Sequence, residues 1–223
     1  MRKQVSEKTL EINVCAEMLA IVRTWSGYES SLWIGMKQYE EAVTGLDVFM
    51  DNVPDRHFLG LQFKSPHADP PNVNPYHYSV NELQQSKLLR LATGGRSVYY
   101  VFPNFNTLER LRSSSPQLIG NTYMVHVDSI GDIGGDRRKR HTVRCYEPSG
   151  RVTVSSPVEI QRAPTAETFF SGLGESMQSV AGKEELGLIT YPELRSWLIE
   201  TVLADTETRR VGQLLRGFAL LAL

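Results

Sequence analysis

Two β-type runs constrain this chain most. They are Gly45-Leu46-Asp47-Val48-Phe49-Met50-Asp51 and Phe58-Leu59-Gly60-Leu61-Gln62-Phe63-Lys64, joined by a six-residue segment, 52–57, that carries Asn, Pro and Asp. Apolar, partly β-branched and aromatic runs bounded by turn formers predict two strands of a hairpin. Side chains alternate between the faces of a strand. Asp47, Phe49 and Asp51 therefore share one face of the first run, and Phe58, Gly60, Gln62 and Lys64 one face of the second. Pairing outward from the turn sets Asp51 opposite Phe58 and Asp47 opposite Gln62, with Lys64 next on that face. Opposed residues have Cβ atoms about 4.5–5.5 Å apart, so the three polar side chains are expected to gather at one end of the hairpin. A slip of one residue would send the partners to opposite faces.

The flanking segments complete a mixed α/β pattern. Residues 6–24 predict a helix, with Ser6 as N-cap, Glu7 in its first turn, and a stripe of Glu11, Val14, Cys15, Met18 and Val22. Residues 32–37 predict a strand ahead of the hairpin. Residues 79–92 predict a helix with Ser79 as N-cap and Glu82 at the capping-box position, ended by Gly94 and Gly95. A strand over 97–103, a short helix over 107–112 and a strand over 122–128 follow. That order predicts a central mixed sheet flanked by helices over residues 1–130. Residues 131–223 read as a C-terminal extension for oligomerisation or partner docking. It holds a Gly-rich loop with the basic run Arg137, Arg138, Lys139 and Arg140, then short strands near 142–147 and 151–155. Residues 163–185 read as a mobile connection, and 191–203 and 207–221 as a mainly helical end.

The whole chain has 223 residues, enough for one sizeable core. Its 41% hydrophobic and 22% charged content is that of a globular protein. No run of about 18 apolar residues occurs, and the first residues are polar, so neither a membrane span nor a signal peptide is expected and the protein reads as cytoplasmic. Cys15 and Cys145 form no CxxC pair, which speaks against a zinc site, and a cytoplasmic location disfavours joining them. A net charge of −1 offers little general attraction for nucleic acid, so any binding must rest on a local patch.

The hairpin's polar cluster suits one chemistry. Cleaving a phosphodiester requires neutralising charge on the phosphate and delivering hydroxide, and a hard cation does both through oxygen ligands at about 2.0–2.1 Å. Asp47 offers a carboxylate, Gln62 an amide oxygen and Phe63 its backbone carbonyl for Mg²⁺ or Mn²⁺. Lys64 could orient the attacking water or stabilise developing negative charge.

This pattern, Gly45-Leu46-Asp47 on one strand and Gln62-Phe63-Lys64 on the next, resembles that of the PD-(D/E)XK nucleases, and more closely the Mrr-like restriction enzymes that use QxK. The family core runs helix, three-strand meander, helix, strand, an order predicted here over residues 6–128. The resemblance implies a restriction-endonuclease-like fold and a Mg²⁺-dependent endonuclease acting on DNA in restriction, repair or defence. Such an enzyme works as a homodimer or within a larger complex, in some cases beside an ATPase. No GxxxxGK[ST] is present, so NTP dependence would come from that partner. The family's helix glutamate would be Glu11, on the apolar stripe, with Glu7 one turn earlier as the alternative. Leu46 stands where the family carries proline. Gln62 is neutral, which implies weaker metal binding or a larger share for Glu11.

Each assignment has a plainer counterpart. Asp47, Gln62 and Lys64 could form the solvated face of an ordinary hairpin, although Phe49 and Phe58 on the same face argue for partial cover. Glu11 could be a helix-surface residue. Lys37 could reach substrate or merely end a strand, and Arg137 to Arg140 could bind phosphate or be a solvated loop. Tyr76, His77 and Tyr78 could stack on bases or anchor the preceding Pro-rich loop, with His67 and His77 as acid/base candidates. A second function class is a catalytically inactive module of the same fold that binds nucleic acid or a protein partner. A third is a purely structural interaction protein.

Overall fold

The computed structural model describes residues 4–25, 28–36, 38, 41, 44–51, 57–67, 74–92, 97–134, 140–155, 158–177 and 189–190. Lys37, Arg137, Arg138, Lys139 and the helices expected over 191–203 and 207–221 lie outside these residues.

Helix α1 (Glu7–Val22) starts as expected. Ser6 is extended, and its hydroxyl accepts the Thr9 N–H. The buried residues of α1 are Leu10, Glu11, Val14, Cys15, Met18 and Val22. Strands β1 (Leu32–Gly35), β2 (Val48–Asp51) and β3 (His57–Phe63) form an antiparallel meander. The hairpin register is the one expected, with Asp51 opposite Phe58, Met50 opposite Leu59, Phe49 opposite Gly60 and Val48 opposite Leu61.

Residues 79–81 depart from expectation. They belong to strand β4 (Tyr76–Asn81), and helix α2 (Glu82–Ala92) starts only after it. Ser79 is therefore not the N-cap. Asn81 takes that place, its Oδ1 accepting from the N–H groups of Leu83 and Gln84 at 2.9 and 3.3 Å. The alternation that buries Tyr76, Tyr78 and Val80 outweighs the Ser79–Glu82 spacing, because β4 finds a strand partner far along the chain.

Strand β5 (Val98–Pro103) pairs parallel to β3, with β4 and α2 supplying the crossover that a parallel pair needs. Helix α3 (Leu108–Ser114) is capped by Thr107, and strand β6 (Thr122–His126) runs antiparallel to β5. The short helix α4 (Val127–Ile130) follows. The central sheet has the order β1-β2-β3-β5-β6 and is mixed, and helices flank it.

Strands β7 (Arg140–Tyr146), β8 (Arg151–Val154) and β9 (Val158–Ile160) join β4 in a second, antiparallel sheet of order β4-β7-β8-β9. This sheet draws strands from both sides of residue 130. Helix α5 (Ala166–Met177) occupies part of the segment expected to be a mobile connection. It packs on the end of α1, where Phe170 stacks on Trp25. Gly174 makes that approach possible, since a Cβ there would lie 2.5 Å from Trp25 Nε1. A two-residue strand β10 (Ile189–Thr190) pairs with the start of β3.

The central sheet is covered on both faces. Leu59, Leu61, Phe63, Val101 and Met124 pack with α1 and α5, while Leu46, Phe49, Tyr100 and Phe102 pack with α2 and the second sheet. Cys15 and Cys145 are buried, free and in different clusters. Among the described residues no helix is long and apolar enough to cross a membrane.

Candidate active site

The site begins at Gly45. Its φ of +78° lies in the left-handed region that favours glycine, and a Cβ there would press on Gln84 Cγ and Leu88 Cγ of α2 at 3.3 Å. Gln84 Nε2 donates to the Gly45 carbonyl at 3.2 Å, which fixes the chain against α2 as it enters β2. Asp47 already follows the ladder, donating its N–H to the Leu61 carbonyl and accepting Met36 N–H on its own.

From there the Asp47 side chain meets the end of β3. Its Oδ2 accepts from the Phe63 N–H at 2.6 Å and from Gln62 Nε2 at 2.7 Å. The same Nε2 donates to the Phe63 carbonyl at 2.9 Å. One nitrogen thus lies between a carboxylate oxygen and a carbonyl oxygen. The other end of that amide, Oε1, is buried with no hydrogen-bond partner. Asp47 and Gln62 are only 8% and 1% exposed, so neither lies on a solvated hairpin face.

This donor set suits a hard cation. Half a turn about the Gln62 Cγ–Cδ bond would exchange Nε2 for the orphaned Oε1. Three oxygens, one of them charged, would then surround a single point. The set is sparing in charge: among the described residues no three His, Cys, Asp or Glu side chains converge as a metal site.

Burial pushes the Asp47 carboxyl up to about 7, aided by the negative charge of Glu7 and, more weakly, of Glu11. The Lys64 ammonium and the Phe63 N–H pull the other way. The two helix glutamates differ in position. Glu7 Oε2 accepts the Ser65 N–H at 3.0 Å, and Glu7 lines a cleft of about 260 Å³ together with Lys64. Glu11 is buried and paired with Lys8. Burial raises its carboxyl, and the Lys8 hydrogen bond opposes that.

The same cleft receives His67, Ser79, Asn81 and Gln84, and also Arg140, the first residue of β7. His67 Nε2 is 2.9 Å from Ser79 Oγ. His77 lies outside the cleft lining, and burial lowers its imidazole. Tyr76 and Tyr78 are core residues rather than stacking platforms. The Tyr78 hydroxyl donates to Asn104 Oδ1 at 2.6 Å, and the Arg110 guanidinium covers the Tyr76 ring.

Sequence reasoning missed Tyr100, Ser79, Asn81 and Gln84. Tyr100 stands opposite Gln62 in the parallel pair, and its hydroxyl is buried with no partner. The row Asp47–Gln62–Tyr100 crosses three strands, and only the parallel register reveals it. No protein family model, curated protein or solved structure matches this chain.

Proposed function

We propose that the protein is a metal-dependent endonuclease with a restriction-endonuclease-like core, hydrolysing phosphodiester bonds in DNA. The supporting observation is that Asp47 Oδ2 and the Phe63 carbonyl both meet the Gln62 amide, whose orphaned oxygen would join them after a half-turn, with the Lys64 charge acting on Asp47. Asp47, Gln62 and Phe63 would hold Mg²⁺ or Mn²⁺, and Glu7, whose charge acts more strongly on Asp47 than that of Glu11, is the helix carboxylate to assist them. The ion would supply charge neutralisation at the phosphate and a water of lowered pKa. Asp47 must release its proton to serve, so metal and proton compete for it. Lys64 places a positive charge where the phosphate gains negative charge in the transition state. The resemblance further suggests a cytoplasmic role in restriction, repair or defence, as a homodimer or within a larger complex that could include an ATPase.

The test is incubation with plasmid and single-stranded DNA, with Mg²⁺, Mn²⁺ or chelator, beside Asp47→Ala and Lys64→Ala. Cleavage that requires metal and vanishes in both variants is the expected result. Metal-independent cleavage, or cleavage surviving in either variant, would sink the reading.

One observation favours a second reading, a non-catalytic binding module. Gln62 Nε2 already bridges Asp47 and Phe63, so the cluster is satisfied by its own hydrogen bonds. That reading predicts no calorimetric Mg²⁺ or Mn²⁺ binding that Asp47→Ala removes.

A further inference from the structure

The cleft beside Asp47 is built by both sheets. Lys64 follows β3 of the central sheet, whereas Arg140 opens β7 of the second sheet, in register with Asn81 of β4. Asn81 spends its Oδ1 on capping α2, so its remaining amide group is a donor. The Ser79 hydroxyl, held by His67, adds a further polar group to the wall. Among the described residues that line the cleft, one carboxylate, Glu7, stands against the two cations, and one of its oxygens is engaged by the Ser65 N–H. A tetrahedral anion with several acceptor oxygens fits such walls. The Arg140 fork can grip two oxygens of one phosphate, while Lys64 serves as a point charge for the neighbouring one.

We propose that this cleft is a phosphate subsite for a nucleic-acid strand, in which Arg140 holds the phosphodiester next to the one at Asp47 and Lys64. The inference rests on the nuclease reading for the direction of the strand, and it gives the second sheet a role: delivering Arg140. The chain as a whole carries a net charge of −1, so binding must come from local pairs of this kind, and the loss of one cation should be visible.

The test uses the full chain and a short fluorescein-labelled DNA, single-stranded and as the matching duplex, with chelator present so that nothing is cut. Anisotropy is followed across a salt series for wild type, Arg140→Gln, Arg140→Lys and Arg151→Gln. Arg151 lies on β8 of the same sheet, faces Glu159 and does not line the cleft. The expected result is a loss of roughly threefold to tenfold for Arg140→Gln, with a salt slope shallower by about one phosphate contact. Arg140→Lys should recover part of it, and Arg151→Gln should match wild type, as should all melting temperatures. Wild-type affinity and slope in Arg140→Gln, or no DNA binding by wild type, overturns the subsite. Metal-dependent cleavage with binding indifferent to Arg140 removes the subsite and leaves the nuclease. Arg140-dependent binding without cleavage under any metal does the reverse.

Discussion

Towards α1 and α5, the central sheet presents Val48, Met50, Leu59, Leu61, Phe63, Val101 and Met124, all apolar and all buried. Towards α2 and the second sheet, the same strands present Leu46, Phe49, Phe102 and Val125, but also the row Asp47, Gln62 and Tyr100. Both faces exclude water and the first leaves Trp33 Nε1 unpaired, but the second gathers its unpaired atoms, Gln62 Oε1 and the Tyr100 hydroxyl, in the row that holds a carboxylate. A buried polar atom without a partner costs roughly 1–3 kcal/mol, a cost that packing alone gives no reason to retain. The contrast separates residues that hold the sheet from those available for chemistry, although they alternate along the same few strands.

The sharpest challenge to that division is Asp47→Asn beside Leu61→Ala. Asp47→Asn should reduce metal-dependent cleavage by roughly a thousandfold while the protein stays folded. Leu61→Ala should cost about 2–5 kcal/mol in denaturant unfolding, because it opens a cavity on the apolar face, yet leave metal affinity within a few-fold. A reversal of the two patterns would break the comparison.

Next in size is the pH dependence of stability without metal. Folded Asp47 keeps its proton up to about pH 7, whereas unfolded it gives the proton up near its ordinary value of 3.8. Its contribution is therefore complete below pH 4 and is lost as pH rises through 7. Relative to Asp47→Asn, wild type should lose on the order of 3–5 kcal/mol across that window. Mg²⁺ competes with that proton, so its stabilising effect in thermal melts should grow with pH over the same range. A wild-type advantage that rises with pH would contradict the raised carboxyl.

Smaller effects separate the two helix glutamates. Glu7→Gln should lower the Asp47 titration midpoint, followed by carboxyl NMR, more than Glu11→Gln does, since the Glu7 charge acts more strongly on Asp47. An equal or inverted pair would return Glu11 to the site. The smallest change is expected for Tyr100→Phe, with unfolding free energy higher by about 1 kcal/mol, because the buried hydroxyl it removes has no partner. A loss above about 2 kcal/mol would reveal one.

The hairpin was legible because its information is local. Period-two alternation, turn formers and one apolar face together admit a single register, and Asp47 met Gln62 as that register requires. Strand β4 was not, because its partner β7 begins some sixty residues later and the Ser79–Glu82 spacing imitates a helix start. The stripe of α1 was legible in the 3.6-residue spacing of Val14, Cys15, Met18 and Val22, whereas the burial of Glu11 on that stripe was left open by the sequence. A carboxylate is costly to bury without a partner, and Lys8, one helical turn away, supplies it. That Glu7 faces the cleft follows from where Ser65 meets the helix start, a long-range contact with no signature in either segment. Arg140 stood out only as the last member of a basic run, and nothing local said that its strand would carry it beside Lys64.

The pairing of β4 with β7 also sets an order of events during synthesis. Asp47 and Gln62 can meet once a ribosome has released residue 64, since the loop between them is short and cheap to close. The opposite wall must wait until β7, ending at Tyr146, has emerged to pair with β4. A truncated product ending after residue 64 but before that strand would carry the residues of the Asp47–Gln62 pair without Arg140 or a partner for β4. Premature termination would thus release the centre without its completed cleft.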